Sequence, residues 1–173
     1  VRGAICVVQC GEMVLYGTDV CRVEGRERLK VGAVREDYYI LKPVYRPSAT
    51  IYVPAGNEQL VARMRRVLSI QEIESILGDV AQDEVAWVDD PNERREAYGK
   101  ILTGGDRCVL MRMIRTLYQR RQQLRTMGKQ LRTGDDQILR DAERLLHDEF
   151  AFVLQIPQTD VPDYIRGRIG TEA

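Results

Sequence analysis

Histidine occurs once, at His147, and the four cysteines, Cys6, Cys10, Cys21 and Cys108, include no pair at CxxC spacing. That excludes a zinc site built on the usual ligand intervals and makes free thiols in a reducing cytosol the simpler expectation. Long apolar runs are also missing. Ala4 to Val8 is too short for the hydrophobic region of a signal peptide and far too short to span a bilayer, so no membrane segment is expected. There is no net charge either, because 26 Lys and Arg are balanced by 26 Asp and Glu. A chain without a global field can attract nucleic acid only through a local patch. Gly104 and Gly105 lack the lysine and the preceding strand of a phosphate-cradling loop. With no nucleophile pattern around His147 either, neither catalysis, a cofactor, a metal nor a small-molecule substrate is expected.

What charge there is has been segregated. No Asp or Glu stands between Arg107 and Arg132, a stretch that carries Arg112, Arg115, Arg120, Arg121, Arg125 and Lys129 as well. Its apolar residues Leu110, Met113, Ile114, Leu117, Tyr118 and Leu124 recur at steps of three or four, the period of one buried helix stripe. A helix anchored on that side and basic elsewhere suits a phosphate backbone. An ordinary solvated helix that happens to be basic fits the same pattern.

The 173 residues allow one large domain or two small ones, and a change of period favours two. Before it, Met13 to Tyr16, Val20 to Val23, Tyr38 to Lys42 and Thr50 to Val53 read as short strands, bounded by turn signals at Gly17, Gly25, Gly32 and Pro47. Pro43, Pro47 and Pro54 confine the later strands to edges or ends, and the whole reads as a small, strongly bent β-barrel or half-barrel. Pro54 to Asn57 form the break, which divides the chain into a β module at 1–57 and a helical domain at 58–173. Ser69 with Glu72 is a capping box opening a helix stripe of Ile70, Ile73, Ile76 and Leu77. Asp90 and Pro91 open the next helix, Gly104 and Gly105 end it, and Asp106 caps the basic one. Thr133 with Asp136 is expected to cap a helix whose face is Leu139, Ala142, Leu145, Leu146, Phe150 and Val153. Pro157 stops that helix and Thr159 begins a short last one.

Paired carboxylates at Asp89 and Asp90 and at Asp135 and Asp136 can serve acid–base chemistry, but both pairs stand at helix starts, where capping explains them. His147 lies off the apolar face and reads as a solvated surface residue. Trp87, the lone tryptophan, has two readings. It is either a core residue closing a small helical domain or, close to Arg94 and Arg95 on a connector, an apolar wedge of the kind that opens a base step from the minor groove.

The order of these motifs resembles the CarD family of bacterial RNA polymerase-binding transcription regulators, the CarD and CdnL type, from about Gln9 to Ile169. The similarity runs through Gly11 to Tyr16, Val20 to Glu24, Tyr38 to Lys42 and Ile51 to Pro54. It continues through Trp87, Arg94 with Tyr98, Gly105 with Asp106, Ile114 to Tyr118, Ala142 to Leu146 and Glu149 to Ala151. No single motif is specific, whereas their order and spacing are. The resemblance implies an α+β chain in which a Tudor-like or SH3-like module docks on the RNA polymerase β subunit by strand pairing. A helical domain then touches promoter DNA at the upstream edge of the transcription bubble. Carried over by position, Trp87 is the wedge, and Arg94, Arg95, Arg115, Arg120, Arg121 and Lys129 are candidate backbone contacts. Ile51, Tyr52, Val53 and Pro54, with Arg28 and Lys30 on a neighbouring loop, are the polymerase-docking candidates. Such a regulator works in the bacterial cytoplasm, at the nucleoid. Two departures bear on docking. Asp19 precedes Val20 where a glycine is usual, and Tyr52 stands where some members carry arginine. The rival reading is an adaptor whose β module binds a partner protein and whose helical domain only dimerises.

Overall fold

The computed structural model describes residues 8–31, 34–79 and 85–169. Cys6, the turn signal at Gly32 and most of the Ala4 to Val8 run lie outside the described residues. Two units make up the chain, Val1–Leu68 and Ser69–Ala173, the first an antiparallel sheet and the second helical, so the class is α+β.

In the first unit, strands β1 (Met13–Tyr16), β2 (Asp19–Val31), β3 (Val34–Pro43), β4 (Ile51–Pro54) and β5 (Arg65–Arg66) lie in the order β4-β3-β2-β1-β5. Alternation sets the register. Val14 faces Cys21, Val23 faces Leu41 and Tyr39 faces Val53 across the ladders, and all six belong to one buried cluster with Val8 and Met64. A slip by one residue would turn that whole set to the other face. Burial pushes the Cys21 thiol up to about 12, with the Asp19 carboxylate adding to the shift; Cys10, Cys21 and Cys108 are free thiols. Helix α1 (Glu58–Val61) and β5 also belong here, because Leu60, Val61 and Met64 pack on this core and Arg65–Arg66 pairs with β1. The division therefore falls at Leu68, beyond the break expected at Pro54 to Asn57.

Two strands run longer than their apolar runs. Gly25, expected as a turn, instead sits beside a bulge in β2 where the register shifts between Val23 and Gly25, at φ 157°. The bulge absorbs the extra residue and lets pairing with β3 continue to Val31 and Val34. β1 ends its pairing at Arg22 and β4 at Tyr38, so the distal parts of β2 and β3 project as a two-stranded ribbon. Arg28 and Lys30, expected on a loop, lie within this ribbon opposite Asp37 and Arg35.

The second unit holds α2 (Ile70–Asp79), α3 (Pro91–Gly104), α4 (Arg107–Thr126), α5 (Thr133–Leu154), a 3-10 turn at Gln158–Asp160 and α6 (Val161–Ile169). The expected caps form at three starts. Ser69 and Glu72 bond each other's backbone amides, Asp90 accepts from the amides of Asn92 and Glu93, and Asp106 accepts from that of Val109. Gly105, at φ 85°, closes α3 in the left-handed conformation. The capping box expected at Thr133 and Asp136 does not form. Thr133 is the first helical residue and its cap, Arg132, makes no side-chain bond. Tyr98, Leu110, Met113, Leu117, Leu139, Ala142, Leu145, Leu146 and Phe150 form the buried face. His147, expected at the surface, is half-buried on α5, and burial holds its imidazole below the ordinary value near 6.5 against the opposing pull of Glu143. No helix among the described residues is long and apolar enough to cross a membrane.

Two charged pairs sit inside this domain. Arg94 on α3 meets Asp135 on α5, and Arg107 on α4 meets Glu149 on α5, with all four residues buried. Arg107 therefore belongs to the interior and not to the basic face on which the sequence pattern put it. Removing one partner of such a pair leaves an uncompensated buried charge. Glu149→Ala is expected to lower unfolding stability by about 3–5 kcal/mol in urea titrations. Lys100→Ala, which breaks only the exposed Lys100–Glu96 pair, is expected to leave the midpoint where it was.

Candidate nucleic-acid and partner interfaces

The residues just before α3 form neither helix nor strand, so their backbone groups need partners from elsewhere. Side chains supply them. The Thr116 hydroxyl on α4 donates to the Val85 carbonyl at 3.0 Å, the Tyr98 hydroxyl on α3 donates to that of Ala86 at 3.4 Å, and one Arg94 nitrogen donates to those of Val88 and Asp89 at 2.5 and 3.1 Å. Trp87 stands at the centre of this pinned connector and is half-buried, its ring neither sealed in the core nor free in solvent.

Two guanidinium groups lie over the indole among the described residues, Arg94 at 4.2 Å and Arg120 at 5.1 Å from the ring centroid. Cations at that range are attracted by the ring quadrupole. Their own surroundings differ. Arg94 is 2% exposed and forms a fork with Asp135, Nε to Oδ1 at 2.8 Å and Nη2 to Oδ2 at 2.7 Å. The hydrogen bonds to Asp135 are also the main reason its proton is held above the usual arginine value. Arg94 was expected to touch a phosphate backbone. Its guanidinium is committed on all sides inside the protein, so that expectation is corrected. Arg120 is half-buried, donates to Gln123 Oε1 on its own helix at 3.2 Å, and has a buried Nε with no hydrogen-bond partner.

The other basic candidates are spread over the domain. Arg95 is exposed on α3, Arg115 half-buried on α4 and Lys129 exposed in the turn after α4. Arg121 is half-buried and stacks on Tyr118 at 4.3 Å, and the Tyr118 hydroxyl donates to Glu143. Burial first, and that bond second, push the tyrosine proton up. Sequence reasoning left Arg132 off the site although it lies in the basic stretch. Asp90 is held below the usual carboxylate range chiefly by the amides of Glu93 and Asn92, with the charges of Arg94 and Arg132 adding to the shift. Asp135 reads in sequence as a helix cap, yet it is buried and holds Arg94. The available signal was spacing: Arg94 and Tyr98 stand four apart and share one helix face, and a buried Tyr98 puts Arg94 inside.

On the first unit, β4 pairs with β3 alone and ends the sheet, so one of its edges is unpaired among the described residues. An unpaired edge is a template for another strand. Tyr52 is 53% exposed there, Ile51 and Pro54 are half-buried, and Val53 is fully buried in the core. Val53 therefore has only its backbone to offer a partner. Arg28 and Lys30 are exposed on the ribbon.

A family model described as the CarD-like/TRCF RID domain matches residues 9–68, and one described as the CarD C-terminal domain matches residues 75–166. The first match ends where the β unit ends. No curated protein matches the chain.

Because Trp87 is the single tryptophan, its fluorescence reports this site alone. Nearby guanidinium charge concentrates anions, so iodide is expected to quench Trp87 more than neutral acrylamide does. Arg120→Gln is expected to lower the iodide-to-acrylamide quenching ratio; an unchanged ratio would mean that Arg120 does not stand over the ring in solution.

Proposed function

The chain belongs to the CarD family and is a CarD-like RNA polymerase-interacting regulator built on a Tudor-like module, and we propose that it stabilises the promoter open complex. In this reading the β4 edge, Ile51, Tyr52, Val53 and Pro54, pairs with a strand of the polymerase β subunit, with Arg28 and Lys30 on the adjacent ribbon. The helical domain sets Trp87 as a wedge into the minor groove at the upstream edge of the bubble, with Arg95, Arg115, Arg120, Arg121 and Lys129 against the phosphates. Its place of work is then the bacterial nucleoid. The observation that carries the reading is the state of Trp87: half-buried, on a connector pinned at its carbonyls, with cations over its ring. An indole sealed in the core would have no route to a base step.

The mechanism is differential binding. A ligand shifts an equilibrium only through its preference for one state, so Trp87 must meet the opened step better than the stacked duplex. Unstacking costs a few kcal/mol per step, and a wedge that offsets ~1.4 kcal/mol of it raises the open-to-closed ratio about tenfold. The phosphate contacts serve to position it. Tethering by the polymerase raises the effective concentration of the helical domain at the promoter, which is compatible with a chain of no net charge.

Trp87→Ala is expected to keep polymerase affinity while shortening the open-complex half-life about tenfold; equal half-lives would remove the wedge. Promoter-fragment binding by the full chain should weaken steeply with salt, and Lys129→Ala should reduce the log–log slope by about 0.9. No salt-sensitive DNA binding at all would favour an adaptor whose helical domain only dimerises.

A further inference from the structure

Four carbonyls around Trp87, those of Val85, Ala86, Val88 and Asp89, are held by side chains, and Arg94 alone holds two of them. The same guanidinium is the nearer cation over the indole. It is in turn gripped by a carboxylate from another helix, Asp135, which is 5% exposed in the first turn of α5. A continuous chain of contacts thus runs from the start of α5 through Asp135 and Arg94 to both the backbone and the ring of the tryptophan connector. We infer that Asp135 and Arg94 are positioning residues that fix the direction in which Trp87 points, an inference that rests on the wedge reading of Trp87.

The chemistry requires this pair of residue types. A planar guanidinium presents its donors in a rigid fork and can stack on a ring at the same time, whereas an ammonium is a point charge that does neither. Burial removes competing water, so the carboxylate finds no substitute partner for its fork if Arg94 is lost. Arg120, the other cation over the ring, lacks such a grip. Among the described residues its one side-chain hydrogen bond is to Gln123 on the same helix. One side of the cluster is therefore tied to another helix by a buried ion pair, and the other is a half-buried side chain bonded only within its own helix. A wedge that wobbles spends less time in the geometry that separates a base step, and a displacement of about an ångström is enough to cost much of such an effect.

The experiment uses the full chain with its single tryptophan and the variants Arg94→Lys and Asp135→Asn, each first shown to be folded by circular dichroism. Time-resolved anisotropy of Trp87 is expected to gain a fast local component in both, and open-complex half-lives to fall to within about twofold of the Trp87→Ala value with polymerase affinity kept. Combining Arg94→Lys with Trp87→Ala should shorten the half-life no further than Trp87→Ala alone, because the two act through one group. Effects that multiply would overturn the inference and leave Arg94 a general structural role independent of Trp87, as would an indole that stays rigid in both variants. If Trp87→Ala itself leaves the half-life unchanged, the wedge reading fails, and the anisotropy still decides whether Asp135 and Arg94 hold the ring. The two variants approach the chain of contacts from opposite ends, so failure of one to fold leaves the other to decide.

Discussion

The fork between Arg94 and Asp135 is the interaction on which the helical domain and its tryptophan both depend. Helix α3 is poor in apolar residues, and the two it buries fully are Arg94 and Tyr98. Beside the fully buried Tyr98 ring, it is joined to α5 by an ion pair whose desolvation cost is met only by good geometry and further hydrogen bonds. Both conditions hold here, since the guanidinium is paired through two nitrogens and its third nitrogen donates to two connector carbonyls. A pair of this kind adds little net stability over well-packed apolar residues, but it fixes one arrangement because misaligned alternatives leave charge unpaired. Arg107 and Glu149 repeat the device between α4 and α5.

The β unit meets a different constraint. A sheet needs a buried face and leaves its end strands with unpaired backbone. The core face is satisfied by the inward set from Val14 to Val53, while β4 remains at the edge with Tyr52 outward. Its short length and the proline at its end limit indiscriminate pairing. The ribbon formed by β2 and β3 extends past both neighbouring strands and carries Arg28 and Lys30 exposed, while at its base Arg26 pairs with Asp37 across the strands. Charged, projecting strands of this kind stay soluble without a partner and offer directional contacts to one.

Much of this architecture was legible in the residues. Alternation gave the strand cores, and helix starts at Ser69, Asp90 and Asp106 followed from side chains that accept bonds from orphan amides. Where local rules erred, a distant residue had intervened. Gly25 reads locally as a turn, but a bulge lets β3 keep pairing beyond it. Asp135 reads as a cap, yet Arg94, remote in sequence, draws it inward. Arg107 shares the sign and spacing of a basic surface and is buried because Glu149 waits on α5.

For the candidate site the same division applies. Composition, charge segregation and motif order were enough to single out Trp87, the basic helix and the terminal strand, because each is a property of neighbouring residues or of their order. Which arginines face outward, which one holds the indole, and whether that indole is sealed or reachable depend on pairings across dozens of residues. Neighbouring residues were enough for the strand cores and for the helix starts at Ser69, Asp90 and Asp106. That Arg94 belongs to the interior became visible in the packed domain alone, since a guanidinium moves inside only when a carboxylate from another helix arrives in the right plane to receive it.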